Sequence, residues 1–437
     1  MKKERCKNPV CGSNGNCDTC RWKKSVIENS SDSYEIVSGY SHIENSEAVG
    51  DVRCIEKKAY KSDGQDYYLA VDLGTTTLVF QLIEKESKKC VHTVTFLNSQ
   101  HKYGADVISR IQAATQHKAE ELRACIIKDL RAGIEKITEE TSICVMQIEK
   151  MVLAGNTTMI HLLMGYDTSG LGRYPFTPVN LDMICESMST VLQMENVTAQ
   201  DIKDFLITIF PGISAFVGGD IVSGLYALSF DKYSEINLLI DLGTNGEIAL
   251  GNKDRILVAS TAAGPAFECG SVGWGSEMIE TAALLLENGI MDETGLLEDK
   301  YFENGYPITY TEEGEQIYFT QKDIRSLQLA KAAIRAGVEI LLLHYGITVD
   351  EVSNVYLAGG FGYYLDIQKA ATVGLLSKEL ALKSKAVGNT SLAGAERFLY
   401  DKEGTMAIED IREVSEDVVL SNDDLFNEFY MKFMLFE

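Results

Sequence analysis

The sequence predicts an α/β protein whose core is built twice. Three observations carry this. From Tyr67 to the C-terminal end, apolar strands alternate with amphipathic helices, a pattern that implies α/β layers. A strand ending in Asp-Leu-Gly-Thr occurs at 71–82 (VDLGTTTLVFQL) and again at 240–250 (IDLGTNGEIAL). Each copy is followed by a later strand, an Ala-Gly pair and a helix start: MVLAGNTTM at 151–159 and VYLAGGFG at 355–362. Whole elements recurring in the same order mark an internal repeat.

Each element has a local reason. After both Asp-Leu-Gly-Thr segments the apolar alternation resumes, so each reads as a β-hairpin with Gly and Thr at its tip. The stretch 103–117 places Val107, Ile108 and Ile111 at helical spacing. The stretch 322–345 does the same over a longer run, with Ile324, Leu327, Ile334, Val338 and Leu341. A further helix is expected over 221–228. The chain has six prolines and none interrupts the two longer runs. Residues 1–27 form a Cys-rich head, 28–66 a polar linker, 67–235 the first half and 236–437 the second.

Composition narrows the function. The 437 residues carry a net charge of −24, which argues against a broad phosphate-contacting surface for nucleic acid. No apolar run approaches the roughly 18 residues of a membrane span. The first residues are charged and lead into no apolar signal region, so a cytoplasmic location with reduced thiols is expected. The ten cysteines are then ligands or small buried residues. Cys90, Cys125, Cys144, Cys185 and Cys269 sit among apolar neighbours and read as buried. Cys6, Cys11, Cys17 and Cys20 crowd into one short basic segment, and Cys54 stands apart. The six histidines form no metal spacing, and His161 and His344 read as satisfied core residues.

The glycine turns have a chemistry of their own. Gly and Thr at a hairpin tip present backbone N–H groups and hydroxyls that suit phosphate oxygens. An Asp at the strand end, Asp72 or Asp241, can hold Mg²⁺ directly or through water. The segment 358–362 (AGGFG) opens a helix, where backbone donors favour an anion or a nucleotide edge.

The order DLGTTT (72–77), DLGTNGE (241–247) and LAGGFG (357–362) resembles the phosphate-1, phosphate-2 and adenosine motifs of the actin, sugar kinase and heat-shock chaperone (ASKHA) fold. AGNTTM (154–159) and GNTSLAGA (388–395) sit where that fold has its two connecting helices. More specifically, NSQHKYGADVISRI (98–111), FVGGDIVSGL (216–225), STAAGPAFECG (260–270) and the closing segment 426–436 resemble the ATP-dependent reductive activators of corrinoid proteins, the RACo type. The resemblance spans about 67–437. It implies a duplicated ASKHA ATPase core, with ATP and Mg²⁺, that reduces a Co(II) corrinoid protein of a methyltransferase system to Co(I). It also implies an external electron donor such as a ferredoxin or flavodoxin, and admits a homodimer.

Roles follow from the motif match. Gly74, Thr75, Thr76 and Thr77 with Gly243, Thr244 and Asn245 would cradle phosphates, and Asp72 and Asp241 would organise Mg²⁺. Gly359, Gly360 and Gly362 would contact the nucleoside or α-phosphate. Glu247 or Asp220 would orient the attacking water. Against this, Asp220 also fits a helix N-cap and Glu247 the polar face of a strand. Ser260 is either an oxygen contact to the corrinoid or part of a packed turn.

The head, C-x5-C-x2-C from Cys11 to Cys20, resembles the iron–sulfur loop of the plant-type ferredoxin domain in that family. Cys54 or Cys6 completes four thiolates, the usual count for a cluster. Ten residues precede Cys11, so the head is expected to be shorter than that domain. A four-cysteine zinc site is the alternative. Two other classes remain in view: an ASKHA small-molecule kinase, which needs no cysteine head, and a nucleotide-controlled adaptor with a structural zinc.

Overall fold

A computed structural model describes residues 64–194, 203–264, 275–310, 315–359 and 365–436. Cys6, Cys11, Cys17, Cys20, Cys54, Cys269, Gly360 and Gly362 lie outside the described residues.

The first half contains β1 (Tyr67–Leu73), β2 (Thr77–Glu84), β3 (Cys90–Leu97), β4 (Ile148–Gly155), β5 (Ile184–Ser187) and β6 (Leu206–Ile209). They form one sheet in the order β3-β2-β1-β4-β6-β5. The second half contains β7 (Asn237–Leu242), β8 (Gly246–Asn252), β9 (Arg255–Thr261), a separate hairpin of β10 (Tyr306–Tyr310) and β11 (Gln316–Phe319), then β12 (Asn354–Ala358), β13 (Ser384–Gly388) and β14 (Ser415–Asp417). Its main sheet runs β13-β12-β7-β8-β9-β14.

The repeat holds at the level of register. β1 pairs antiparallel with β2 and parallel with β4; β7 pairs antiparallel with β8 and parallel with β12. Asp72 lies opposite Ala154, and Asp241 opposite Ala358. Both sheets are covered on both faces, so their central strands are apolar nearly throughout: Leu69, Ala70 and Val71 are fully buried, as are Leu238, Leu239 and Ile240.

Three core regions result. One packs helix Ala119–Thr141 on the outer face of the first sheet, through Leu122, Ile126, Leu130 and Ile137. Another packs helix Gln321–Tyr345 on the second sheet, through Ile324, Leu327, Ile334 and Leu341. Between the sheets lies the third, where Ala70 and Val79 of one half join Leu239, Ala249 and Val258 of the other.

That middle layer holds two crossing helices, Gly219–Ala227 and Thr390–Phe398. They touch backbone to backbone: a Cβ on Gly394 would overlap the Ser223 carbonyl, and Ser223 Oγ donates to Ser391 O at 2.6 Å. This corrects one expectation. GNTSLAGA does begin a connecting helix, but AGNTTM ends β4 and opens helix Thr157–Met164, which packs on the outer side. The partner of the second crossing helix comes from FVGGDIVSGL instead.

Other expectations shift for local reasons. The helix at 322–345 is observed as Gln321–Tyr345, started by a Thr320–Asp323 capping box. The helix expected over 103–117 is shorter, Val107–Ala113, because Asp106 and Ser109 form a capping box that starts it late. A π-turn over 114–118, with His117 at φ 68°, ends it. Cys125 is buried and Cys144 half-buried, but Cys90 and Cys185 are exposed, because β3 and β5 are the edge strands of their sheet. His161 is fully buried; its Nδ1 pairs with Thr157 O at 2.8 Å and its Nε2 accepts from Val179 N at 2.9 Å. His344 is exposed and pairs with Asp423 at 2.6 Å.

The last turns close over the second half. Lys331 is fully buried, its ammonium donating to Phe433 O at 2.7 Å and Leu435 O at 2.6 Å and lying over the Phe436 ring. Among the described residues no helix is long and apolar enough to cross a membrane.

Candidate active site

The two hairpin tips meet. Thr76 Oγ1 lies 3.2 Å from Thr244 Oγ1, across the gap between the halves. Each tip is tightened in the same way: Gly74 N donates to Thr77 O at 3.0 Å, and Gly243 N to Asn245 O at 3.0 Å. Thr75 Oγ1 accepts from Asn156 Nδ2 at 2.9 Å. The sequence-predicted Gly74–Thr77 and Gly243–Asn245 turns therefore share one cleft.

Four carboxylates gather behind these tips. Asp72 ends β1 and Asp241 ends β7, each half-buried. Glu247 is buried on β8 directly opposite Asp241, and Ser260 Oγ of β9 donates to its Oε1 at 3.3 Å. Asp220 stands in the first turn of helix Gly219–Ala227. It is not the N-cap; Gly218 holds that position, and Asp220 Oδ1 accepts from Ile221 N at 2.9 Å.

Their electrostatics follow from burial and from one another's charges. Burial pushes Asp241 up to about 7, reinforced by the charges of Asp220 and Asp72. Burial also raises Asp220 to about 7, with the Asp72 charge adding to it. Glu247 is held well above the usual carboxylate range by burial and by Asp220 and Asp241. Burial raises Asp72 as well, opposed by hydrogen bonds from Asn389 and Ser391. Like charges packed together in a low dielectric cannot all ionise unless a cation joins them.

This donor set fits magnesium with a phosphate chain. Among the described residues no three His, Cys, Asp or Glu side chains converge closely enough to cage a metal alone. Mg²⁺ does not require such a cage, since it keeps several waters and takes one or two carboxylates plus substrate phosphates. Gly359 sits beside this group at φ +94°; a Cβ there would fall 2.9 Å from Asp241 Oδ1, so only glycine lets β12 end so close to the carboxylate.

Three polar residues at the site escaped the sequence reading. Asn389 Nδ2 and Ser391 Oγ both bind the Asp72 carboxylate, and Asn156 binds Thr75. Their signal was present: Asn before two hydroxyl residues at a helix start is an N-cap signature. Both asparagines do cap, accepting from Met159 N and Leu392 N.

The site can be compared with known proteins. The profile described as the RACo middle region matches residues 67–233. The one described as the C-terminal domain of RACo, the ASKHA domain, matches 235–277 and 273–437. Corrinoid activation enzyme RamQ of Eubacterium limosum is 31% identical over 425 residues, covering 85% of this chain and 70% of that protein. The chain belongs to the RACo family. A second relative, the [Co(II) methylated amine-specific corrinoid protein] reductase of Methanosarcina barkeri, is 24% identical over 423 residues, covering 84% of this chain and 76% of that protein. A solved structure titled reductive activator for corrinoid, iron–sulfur protein superposes with a TM-score of 0.78 at 30% identity, covering 86% of this chain and 67% of that one. The duplicated α/β core is thus the ASKHA domain of the RACo family, as the hairpin and strand–glycine motifs imply.

Proposed function

We propose that this chain reductively activates a corrinoid protein, returning inactive Co(II) to Co(I) in an ATP-dependent reaction. The observation that carries this reading is the 31% identity to a corrinoid activation enzyme along most of the chain. The carboxylate-lined cleft between two anion-binding hairpins supports its ATP-dependent part.

Bound Mg²⁺–ATP supplies binding and hydrolysis energy, and an iron–sulfur cluster in the head supplies the electron. The residues have the following roles. Gly74 to Thr77 and Gly243 to Asn245 hold phosphate oxygens, while Gly359, Gly360 and Gly362 meet the nucleoside or α-phosphate. Asp72 and Asp241 would organise Mg²⁺. Glu247 or Asp220 accepts a proton from the attacking water; burial raises both carboxyls, Asp220 to about 7, which suits a general base. Ser260 holds Glu247 and is the candidate oxygen contact to the corrinoid. Cys11, Cys17 and Cys20, with Cys6 or Cys54, would hold the cluster. The head (1–27), linker (28–66) and two halves (67–235 and 236–437) divide these tasks.

Energetics explain why ATP is needed. Co(I) is a strong reductant, and a gap of a few hundred millivolts corresponds to on the order of 5 kcal/mol. Moving a two-state equilibrium from 1:99 to 99:1 takes about 5.5 kcal/mol. A nucleotide that favours one arrangement of the protein complex can supply this without touching cobalt. The partners are a corrinoid protein and an external donor such as a ferredoxin or flavodoxin, in the cytoplasm.

The test is anaerobic. Iron, sulfide and zinc per chain are measured, then loss of the Co(II) spectrum of a corrinoid protein is followed with reductant, with and without ATP. Iron with sulfide and ATP-dependent loss of Co(II) are expected. Zinc without sulfide would remove the internal electron carrier, and phosphate transfer to an added sugar or carboxylate would favour a kinase.

A further inference from the structure

Asn98 opens the NSQHKYGADVISRI segment, for which the reading above has no use. It is fully buried just beneath the first hairpin tip. Its backbone N donates to Thr76 O at 2.8 Å and its side-chain Nδ2 to Gly74 O at 3.0 Å. One residue thus grips the carbonyls on both sides of Thr75. Its Oδ1 accepts from Gln100 N at 3.0 Å.

Behind Asn98 lies a second tier. Gln100 is fully buried; its Nε2 donates to Leu122 O at 2.9 Å and its Oε1 accepts from Arg110 Nη1 at 3.1 Å. Arg110, also fully buried, donates through Nε to Gly104 O at 3.0 Å. Met159 Sδ touches both Asn98 Nδ2 and Arg110 Nη1. Three polar side chains buried in line are costly unless they bond one another and the backbone, and here they do.

We propose that Asn98 is a positioning residue for the anion-binding turn 74–77, and that Gln100 and Arg110 brace it. In a planar trans peptide the N–H points opposite the carbonyl. Fixing Gly74 O on Asn98 therefore turns the Thr75 N–H away from the protein interior. The turn is set before any phosphate arrives, so less ordering is lost on binding. This inference rests on the nucleotide reading of the cleft.

The test uses the full chain and calorimetric titration with Mg²⁺–ATP and with AMP. Asn98→Asp keeps size and the acceptor for Gln100 N, but sets an oxygen against Gly74 O. ATP affinity is expected to fall about ten- to a hundred-fold. AMP affinity, which depends on the second-half glycine turn, is expected to stay unchanged. Equal ATP affinity, or a matching loss for both nucleotides, overturns the proposal. Should Asn98→Asp fail to fold, Gln100→Glu carries the same comparison, with roughly a three- to tenfold ATP-selective loss expected. Failure of the unaltered protein to bind ATP would overturn the nucleotide reading itself, a result distinct from equal binding by wild type and variant.

Discussion

Asn389 Nδ2 of the second half lies 2.6 Å from Asp72 Oδ2 of the first. Ser391 Oγ binds the other oxygen of the same carboxylate at 2.9 Å. A carboxylate of the first hairpin is thus held by the helix that starts in the other half, so the two halves are joined at the site itself.

Asn389→Ala removes one of these donors and leaves a half-buried carboxylate short of a partner. A hydrogen bond to a charged group contributes about 1.5–3 kcal/mol. Chemical denaturation of the ligand-free protein is expected to show a loss of that size. Ser391→Ala is expected to lose less, because the amide bond to Asp72 remains.

The carboxyls give a pH signature. Asp241 titrates near 7 in the folded protein, far above its value of 3.8 in a free chain. The folded state therefore binds more protons between those values, and the stabilising contribution is lost as pH rises through 7. Ligand-free protein should melt at a lower temperature at pH 8 than at pH 6. Asp241→Asn should flatten that slope. An identical slope in wild type and variant would show that Asp241 does not titrate there.

Glu247→Gln keeps the shape of the β8 side chain but cannot take a proton. General-base loss costs typically 10²–10⁴-fold. A fall in ATP hydrolysis of about that size is expected, with ATP affinity kept because glutamine has the same shape. Phosphate release and equilibrium titration, measured side by side, check both halves of this expectation.

Gly359→Ala places a methyl group against Asp241 in a backbone conformation that alanine resists. Strain of about 1–3 kcal/mol is expected from the backbone alone. Thermal unfolding should register it, together with weaker nucleotide binding.

Much of this was legible in the chain. The Asp-Leu-Gly-Thr tips are local, written in adjacent residues, and they fold where expected. The strands beside them are apolar because both sheet faces are covered, which also shows in sequence. What did not show was tertiary. AGNTTM and GNTSLAGA look alike, since both cap a helix with Asn, yet only the second helix lies between the sheets. Which helix crosses which depends on where Ser223 and Gly394 come together, and no local pattern records that. Cys90 and Cys185 misled because apolar neighbours signal a strand, not its place at a sheet edge. The bonds of Asn98, Asn156 and Asn389 reach far along the chain, to positions 24, 81 and 317 residues away.

The seating of Lys331 has a consequence for the order of events at the ribosome. The acceptors of its ammonium, Phe433 O and Leu435 O, are made 102 and 104 residues later. Until they emerge, a charged group in the middle of a core helix has no place to settle. The outer core of the first half, where helix Ala119–Thr141 packs on its sheet, draws only on residues earlier in the chain and can form during translation. The second waits for those carbonyls, so a chaperone meeting this protein meets a first half with its outer core formed and an unfinished second half attached.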